Sequence, residues 1–195
     1  GSFWGLVREG IFREDERDEA AKFASYRNGL PILPGDIKYR DVNGDYAITD
    51  ADRMIIGNGS PKAWGAFTNS FRYRSFDLSV ELQYSYGNDV MDWTLATSED
   101  RVALANSYKT VLKAWTPENQ NTMIPEIRET RAGYVLNVDS YWIKDGSFIR
   151  GRNLLLGYTL SPSAIEKIGL SRLRLYTSVQ NFFLLVDKEL NADPE

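Results

Sequence analysis

Phe76-Asp77-Leu78-Ser79-Val80-Glu81-Leu82-Gln83-Tyr84-Ser85-Tyr86 is the stretch whose reading decides the fold. Its even positions are all apolar or aromatic and its odd positions all polar. Successive side chains leave an extended backbone on opposite sides, so an unbroken period of two specifies a strand with one greasy and one wet face. Just upstream, Phe67, Phe71 and Tyr73 alternate with Thr68, Ser70, Arg72 and Arg74, and only Asn69 falls on the wrong side. Arg74-Ser75 leaves room only for a tight turn, so the two runs are expected to pair as an antiparallel hairpin with Tyr73 and Phe76 on one face.

The length of this strand and the placement of its aromatics matter as much as the alternation. A tilted strand needs roughly 9 to 11 residues to cross a bilayer, with an outward apolar band and aromatic rings at both interfaces. Phe76 to Tyr86 has that length, with Tyr84 and Tyr86 at one end and Phe76 beside Tyr73 at the other. In that setting the polar face lines a barrel lumen, with Glu81, Gln83, Asn153, Arg174 and Gln180 as lumen-facing candidates. The same pattern also fits a soluble sandwich whose polar face meets water.

Two further strands repeat the pattern. Phe148 to Leu160 sets Leu154, Leu156, Tyr158 and Leu160 against Asn153, Gly157 and Thr159, with Leu155 breaking the polar side. Arg172 to Val186 sets Leu173, Leu175, Val179, Phe183 and Leu185 against Arg174, Tyr176, Ser178 and Gln180, with Thr177 and Asn181 as exceptions. Between the strong strands, residues 87 to 146 carry little strand pattern. Ser98 to Trp115 reads as a helix capped by Ser98 and ended by Pro117, and Asp15 to Tyr26 as a short surface helix. A connection this long counts against a small sandwich and suits the long extracellular loops and short periplasmic turns of an outer-membrane barrel.

Composition narrows the function. A net charge of -4, with no stripe of Lys and Arg, argues against nucleic acid as a partner. The chain has no Cys and no His, which removes thiol nucleophiles, disulfides, Cys/His zinc sites and histidine acid/base chemistry together. The 27 acidic residues fix no pair at a glycosidase working distance, so no catalytic residues and no organic cofactor are expected. No apolar run approaches the ~18 residues a transmembrane helix requires, which leaves a barrel open. Gly1 to Trp4 lacks a charged region followed by an apolar one, so no signal peptide is expected at this start.

Residues 41 to 52 have the spacing of a twelve-residue calcium loop. Asp41, Asn43 and Asp45 occupy positions 1, 3 and 5, the Ala47 carbonyl position 7, Thr49 position 9 and Asp52 position 12. Hard cations take six to eight such oxygens, so a structural Ca2+ is the candidate ligand. Position 6 is usually Gly because the turn is sharp; here it is Tyr46, strained if its φ is positive. An Asx-rich turn using its own side chains as caps is the competing reading.

The ordered series Gly1-Ser2-Phe3-Trp4-Gly5, Pro34-Gly35-Asp36-Ile37-Lys38-Tyr39, the Asp41 to Asp52 loop, Ile55-Ile56-Gly57-Asn58, Trp115-Thr116-Pro117-Glu118-Asn119, Asp145-Gly146-Ser147-Phe148-Ile149-Arg150, Leu156-Gly157-Tyr158-Thr159-Leu160 and Gln180-Asn181-Phe182-Phe183 resembles the C-terminal part of SusC/RagA-type TonB-linked outer-membrane transporters. The resemblance implies an all-β fold, the last strands of a barrel of about 22 strands. It implies that residues 1 to 195 are a portion of the barrel domain without plug, most strands or closing strand, and that the 41 to 52 loop lies within an extracellular loop. It implies import of oligosaccharides or peptides together with a SusD-like surface lipoprotein, TonB acting through regions outside this segment, and the lipid bilayer as surroundings. The alternative is a soluble, calcium-stabilised secreted β binding module.

Overall fold

The structure, a computed structural model, describes residues 1–24, 30–100, 106–128, 138–190, 193 and 194. In chain order the elements are β1 (Ser2–Gly5), β2 (Arg8–Ile11), α1 (Arg17–Ala20), β3 (Ile37–Tyr39), β4 (Met54–Asn58), β5 (Ala63–Tyr73), β6 (Phe76–Tyr86), β7 (Asp89–Met91), α2 (Trp93–Ser98), β8 (Ile143–Asp145), β9 (Phe148–Thr159), α3 (Pro162–Ile165) and β10 (Arg174–Val186). The chain divides into two compact units, one of residues 60–88 and 145–195, the other of 1–59 and 89–144.

The first unit is one antiparallel sheet in the order β10-β9-β6-β5. β5 and β6 form the expected hairpin, in unbroken register from Ala63↔Tyr86 to Tyr73↔Phe76. Arg74 turns the chain with φ 53°, a left-handed conformation that lets two residues reverse the strand. β5 starts at Ala63, earlier than its alternation reveals, because Ala63 and Gly65 give no apolar mark.

The four strands share one apolar face. Phe71, Leu78, Leu156 and Thr177 lie in one row across it, and Asn69, Val80, Leu154 and Val179 in the next. That face is open: Tyr73 is 69% exposed and Leu175 59%. Among the described residues, the only buried hydrophobic side chains of this unit are Phe148, Ile165 and Leu190, so no second layer covers the sheet. Burying a large apolar side chain is worth about 1.5 to 3 kcal/mol, and a bare row of them requires a non-aqueous neighbour.

Two bulges step across the sheet. β6 advances from Glu81 to Leu82 while β9 advances from Asn153 to Gly151, so β9 carries one extra residue, Arg152. β10 in turn takes three steps, Gln180 to Phe183, against the same two on β9. Asn181, at φ 50°, sits in this second bulge, so the break in alternation there is a register shift and not a weak strand.

The second unit is built from short pairs, β1 with β4, β2 with β3 and β7 with β8. The extended reading of residues 3 to 12 thus resolves into two strands. One small core holds Phe12, Ala20 and Ile32 with Phe23 against them; another holds Leu95, Ala96 and Trp142 with Met91, Val138 and Tyr141. The helix expected over 98–115 is corrected: α2 runs from Trp93 to Ser98 with Asp92 as its cap, accepting from the Thr94 N–H. Val102, Leu104 and Ala105 lie outside the described residues, and Lys109–Lys113 is a single 3₁₀ stretch. The surface helix expected over 15–26 shrinks to α1 after a 3₁₀ turn at Glu14–Glu16; residues 25 and 26 lie outside the described set.

Candidate functional site

The polar face of the sheet gathers the five candidates named from the alternation. Glu81 pairs with Asn153, and Asn153 with Gln180, forming a row across β6, β9 and β10; Gln83 lies two residues along, opposite Arg150. Arg174 stands apart, at the end near the β5–β6 turn, opposite Thr159. The bulge adds a residue that alternation missed. Arg152 Nη1 donates to Gln83 Oε1 at 3.0 Å, and its Nε lies 3.9 Å from Glu81 Oε1. Parity places Arg152 on the apolar face, and only the inserted residue turns it to the wet one.

Toward the turn, Arg174 Nε donates to Asp77 Oδ1 at 3.1 Å, bridging two strands over Gly157. A Cβ at Gly157 would come within 2.6 Å of the Arg174 guanidinium and of both Asp77 oxygens. The glycine therefore keeps the passage through which this ion pair forms. The Arg174 guanidinium also lies 5.3 Å from the Tyr176 ring centre.

In the second unit the 41–52 loop is closed by its own side chains. Asp41 accepts from the Gly44 and Tyr46 N–H groups, Asn43 from Asp45, and Asp45 from Ala47. Asp52, fully buried, accepts from Val42 and Thr49 and so ties the loop's beginning to its end. Tyr46 does take a positive φ, 58°, which costs a non-glycine residue about 1 to 2 kcal/mol. Its carbonyl accepts from the Ala24 N–H at 2.8 Å and its ring meets Phe23 edge-on at 5.4 Å, contacts that offset the strain and that glycine could make only in part. The oxygen-only donor set suits a hard cation. As arranged, however, Asp52 is turned to the backbone, and no three acidic side chains gather into a metal-holding cluster among the described residues.

A buried charge cluster escaped the sequence reading. Arg8, 4% exposed, donates to Asp100 and to Asp139 and, through Nη1, to the Met123 carbonyl at 2.9 Å. Tyr39 Oη donates to Asp139 at 3.2 Å and Trp142 Nε1 to Asp100 at 2.7 Å, while the Tyr141 ring lies 4.6 Å from the Arg8 guanidinium. Burial holds the Asp139 carboxyl above the usual range despite Arg8, which pulls the other way and is shared with Asp100. Burial, together with the hydrogen bond its hydroxyl donates to Glu99 at 2.7 Å, raises Tyr141. Arg8 lies 92 residues from Asp100 and 131 from Asp139, so no local spacing announces the cluster.

Strands of 11 to 13 residues, aromatic rings at both ends, an open apolar face and a polar face crossed by ion pairs define the wall of a transmembrane β-barrel. Comparison with known proteins agrees. No family model matches the chain. It is 35% identical over 197 residues to the TonB-dependent receptor P3 of Formosa agariphila, covering 100% of this chain and 18% of that protein. It is 26% identical over 172 residues to the TonB-dependent receptor SusC of Bacteroides thetaiotaomicron, covering 86% of this chain and 16% of that one. The solved structure of the RagAB peptide transporter superposes with a TM-score of 0.70 at 19% identity, over 100% of this chain and 20% of the other. Over nearly its whole length the chain is similar to one stretch of these TonB-dependent receptors, SusC among them, which are outer-membrane β-barrel proteins, and it spans less than a fifth of the length of these curated relatives.

Proposed function

We propose that this chain forms part of the wall and loops of a receptor that imports nutrients across the outer membrane. The observation that carries the reading is the uncovered apolar face of a four-stranded sheet whose other face is mostly polar. The SusC and RagAB relationships favour oligosaccharides or peptides as cargo, a SusD-like surface lipoprotein as partner and TonB as the source of energy. In this role Glu81, Gln83, Asn153, Arg174 and Gln180, with Arg152, line the lumen, and the second unit belongs to the loops that meet cargo. We also propose a structural role for the 41–52 loop, with Ca2+ as a ligand that tightens a turn already closed by its own hydrogen bonds.

The test is fractionation and transport of the full-length receptor. It should sediment with the outer membrane, require detergent for extraction, and co-purify with a lipoprotein encoded beside it. Its deletion should abolish growth on one oligosaccharide or peptide source. A receptor recovered in the soluble fraction, or growth unaltered on every such source, would refute the reading.

A further inference from the structure

Trp64 lies on the wrong face for a membrane anchor. β5 and β6 pair in unbroken register, with Trp64 opposite Ser85 and its neighbour Gly65 opposite Tyr84. A Cβ at Gly65 would meet the Tyr84 ring at 3.2 Å, so that ring lies over β5 on the apolar side, and Trp64, one residue away, projects to the polar side. The interfacial rings at this end of the sheet, Tyr84 and Tyr86, thus face lipid, and Trp64 does not belong to their girdle. Trp64 is 76% exposed. Tyr176 on the same face has the Arg174 guanidinium 5.3 Å from its ring centre, whereas no ring or cation stacks on Trp64 among the described residues.

Single exposed apolar side chains are common; what sets Trp64 apart is its neighbourhood. Its same-face neighbours, Ala66 along β5 and Ser85 across the hairpin, are small and leave the indole face open. Gln83 lies diagonally across the hairpin, about 7 to 8 Å away and within reach of so large a side chain. Gln83 Oε1 accepts from Arg152 Nη1 at 3.0 Å, and Arg152 Nε lies 3.9 Å from Glu81 Oε1. From the loop end of the sheet toward its middle, an apolar plate is therefore followed by an amide, a guanidinium and a carboxylate. The last two offset each other, so the patch offers hydrogen bonds without a net charge.

We propose that Trp64, with Gln83, Arg152 and Glu81, forms a sugar subsite on the lumen wall at its loop end, where one pyranose unit of an oligosaccharide cargo stacks on the indole. A pyranose ring has a face of C–H groups and a rim of hydroxyls. The C–H face lies flat against an aromatic ring, and each hydroxyl, both donor and acceptor, is matched by an amide, a carboxylate or a guanidinium. A patch without net charge gives the charged ends of a peptide no comparable hold. The inference deepens the import reading by naming the cargo class, and it rests on the lumen assignment of the polar face.

The experiment measures uptake by cells that carry the full-length receptor, with gluco-, xylo- and manno-oligosaccharides as probes and a tryptic casein digest beside them. For the oligosaccharide that the parent imports, Trp64→Ala should raise the concentration for half-maximal uptake about five-fold, within the range of one aromatic contact, and Trp64→Phe should keep most of the affinity. Heat-modifiable migration of each variant reports that the barrel is intact. A second measurement keeps Trp64 in place and so holds even if Trp64→Ala fails to assemble. An Ala66→Cys receptor should react with a water-soluble maleimide, and the same oligosaccharide, but not the digest, should slow that labelling. An intact Trp64→Ala receptor with unchanged half-maximal uptake, or equal losses for alanine and phenylalanine, overturns the inference. So does an Ala66→Cys receptor that does not react or whose labelling is indifferent to the sugar, and so does a parent that imports the digest and none of the oligosaccharides. A parent that imports neither class, or that fails to fractionate with the outer membrane, instead refutes the underlying import reading.

Discussion

Arginine substituted at Val80 should be far more costly than arginine at Ser79, its neighbour on the opposite face. β6 has 11 residues, and at about 3.3 Å per residue and a tilt of about 40° it spans about 25 Å, the height of the apolar band of an outer-membrane barrel. Val80 is four residues from Phe76, about 10 Å along the membrane normal and so within about 3 Å of the midplane. It sits between Asn69 and Leu154 on the apolar face, with no carboxylate in its row. An arginine there costs about 2 to 4 kcal/mol, a shift of about 30- to 700-fold in the folding equilibrium. Ser79 faces Ser70 across the hairpin, hydroxyl to hydroxyl at 3.2 Å, on the wet side. An arginine there should stay within about 0.5 kcal/mol of the parent, as a surface change does. Ser79 is a better control than Gln83, whose amide oxygen already accepts from Arg152, so that a second guanidinium would add repulsion. The assay is urea titration of the full-length receptor folded into lipid vesicles. A Val80→Arg receptor as stable as its parent, beside a Ser79→Arg receptor weakened by more than 2 kcal/mol, would invert the assignment of faces and remove the basis for the barrel reading.

Other expectations concern the remaining sites. Arg8→Met leaves Asp100 and Asp139 buried without their cation and should cost about 3 to 5 kcal/mol; limited proteolysis of the loop unit reads this, and unchanged protection would show the cluster to be dispensable. Because the folded state raises Asp139, its contribution is complete below the unfolded value of about 3.9 and is lost as pH rises through the raised one, so Asp139→Asn should flatten the fall in loop stability on that side. A slope unaffected by the substitution would assign the pH dependence elsewhere. Gly5→Ala drives a Cβ into the Val138 carbonyl and should destabilise the second unit by about 1 to 3 kcal/mol, read from the same proteolysis. Millimolar calcium should raise the melting temperature of the loop unit in the parent and not in Asp45→Ala; no shift in the parent would leave the 41–52 loop as a metal-free turn.

The hairpin was legible because its information is local. Phe76 to Tyr86 alternates without error, and the two-residue turn follows from where the two runs stop. Leu155 was readable as an exception and remains one, opposite Ser79 and Ser178 on the polar face. Asn181 was misjudged for a physical reason: parity counting assumes equal steps on paired strands, and a bulge inserts a step without leaving a compositional mark. Arg152 was lost for the same reason. The helix of 98–115 failed differently. Its apolar spacing is real, but Asp92 caps an earlier start, and Glu99 and Asp100 are drawn into contacts set by tertiary structure, the hydrogen bonds from Tyr141 to Glu99 and from Trp142 to Asp100.

Tyr46 shows how a departure from a motif carries its own explanation. In the loop alone, a tyrosine at φ 58° is only a cost, because its Cβ crowds the backbone where glycine has none. Packed, the same side chain reaches Phe23, and Phe23 reaches Phe12 at 5.7 Å, so the loop is fastened to the small core of the second unit. A glycine would relax the backbone and lose the ring contact, two effects of similar size and opposite sign. Tyr46→Gly should therefore change stability little in the intact unit, whereas Tyr46→Ala, which keeps the strain and loses the ring, should cost about 1 to 2 kcal/mol more than glycine. Equal losses for the two variants would mean that the positive φ is not what the substitution relieves.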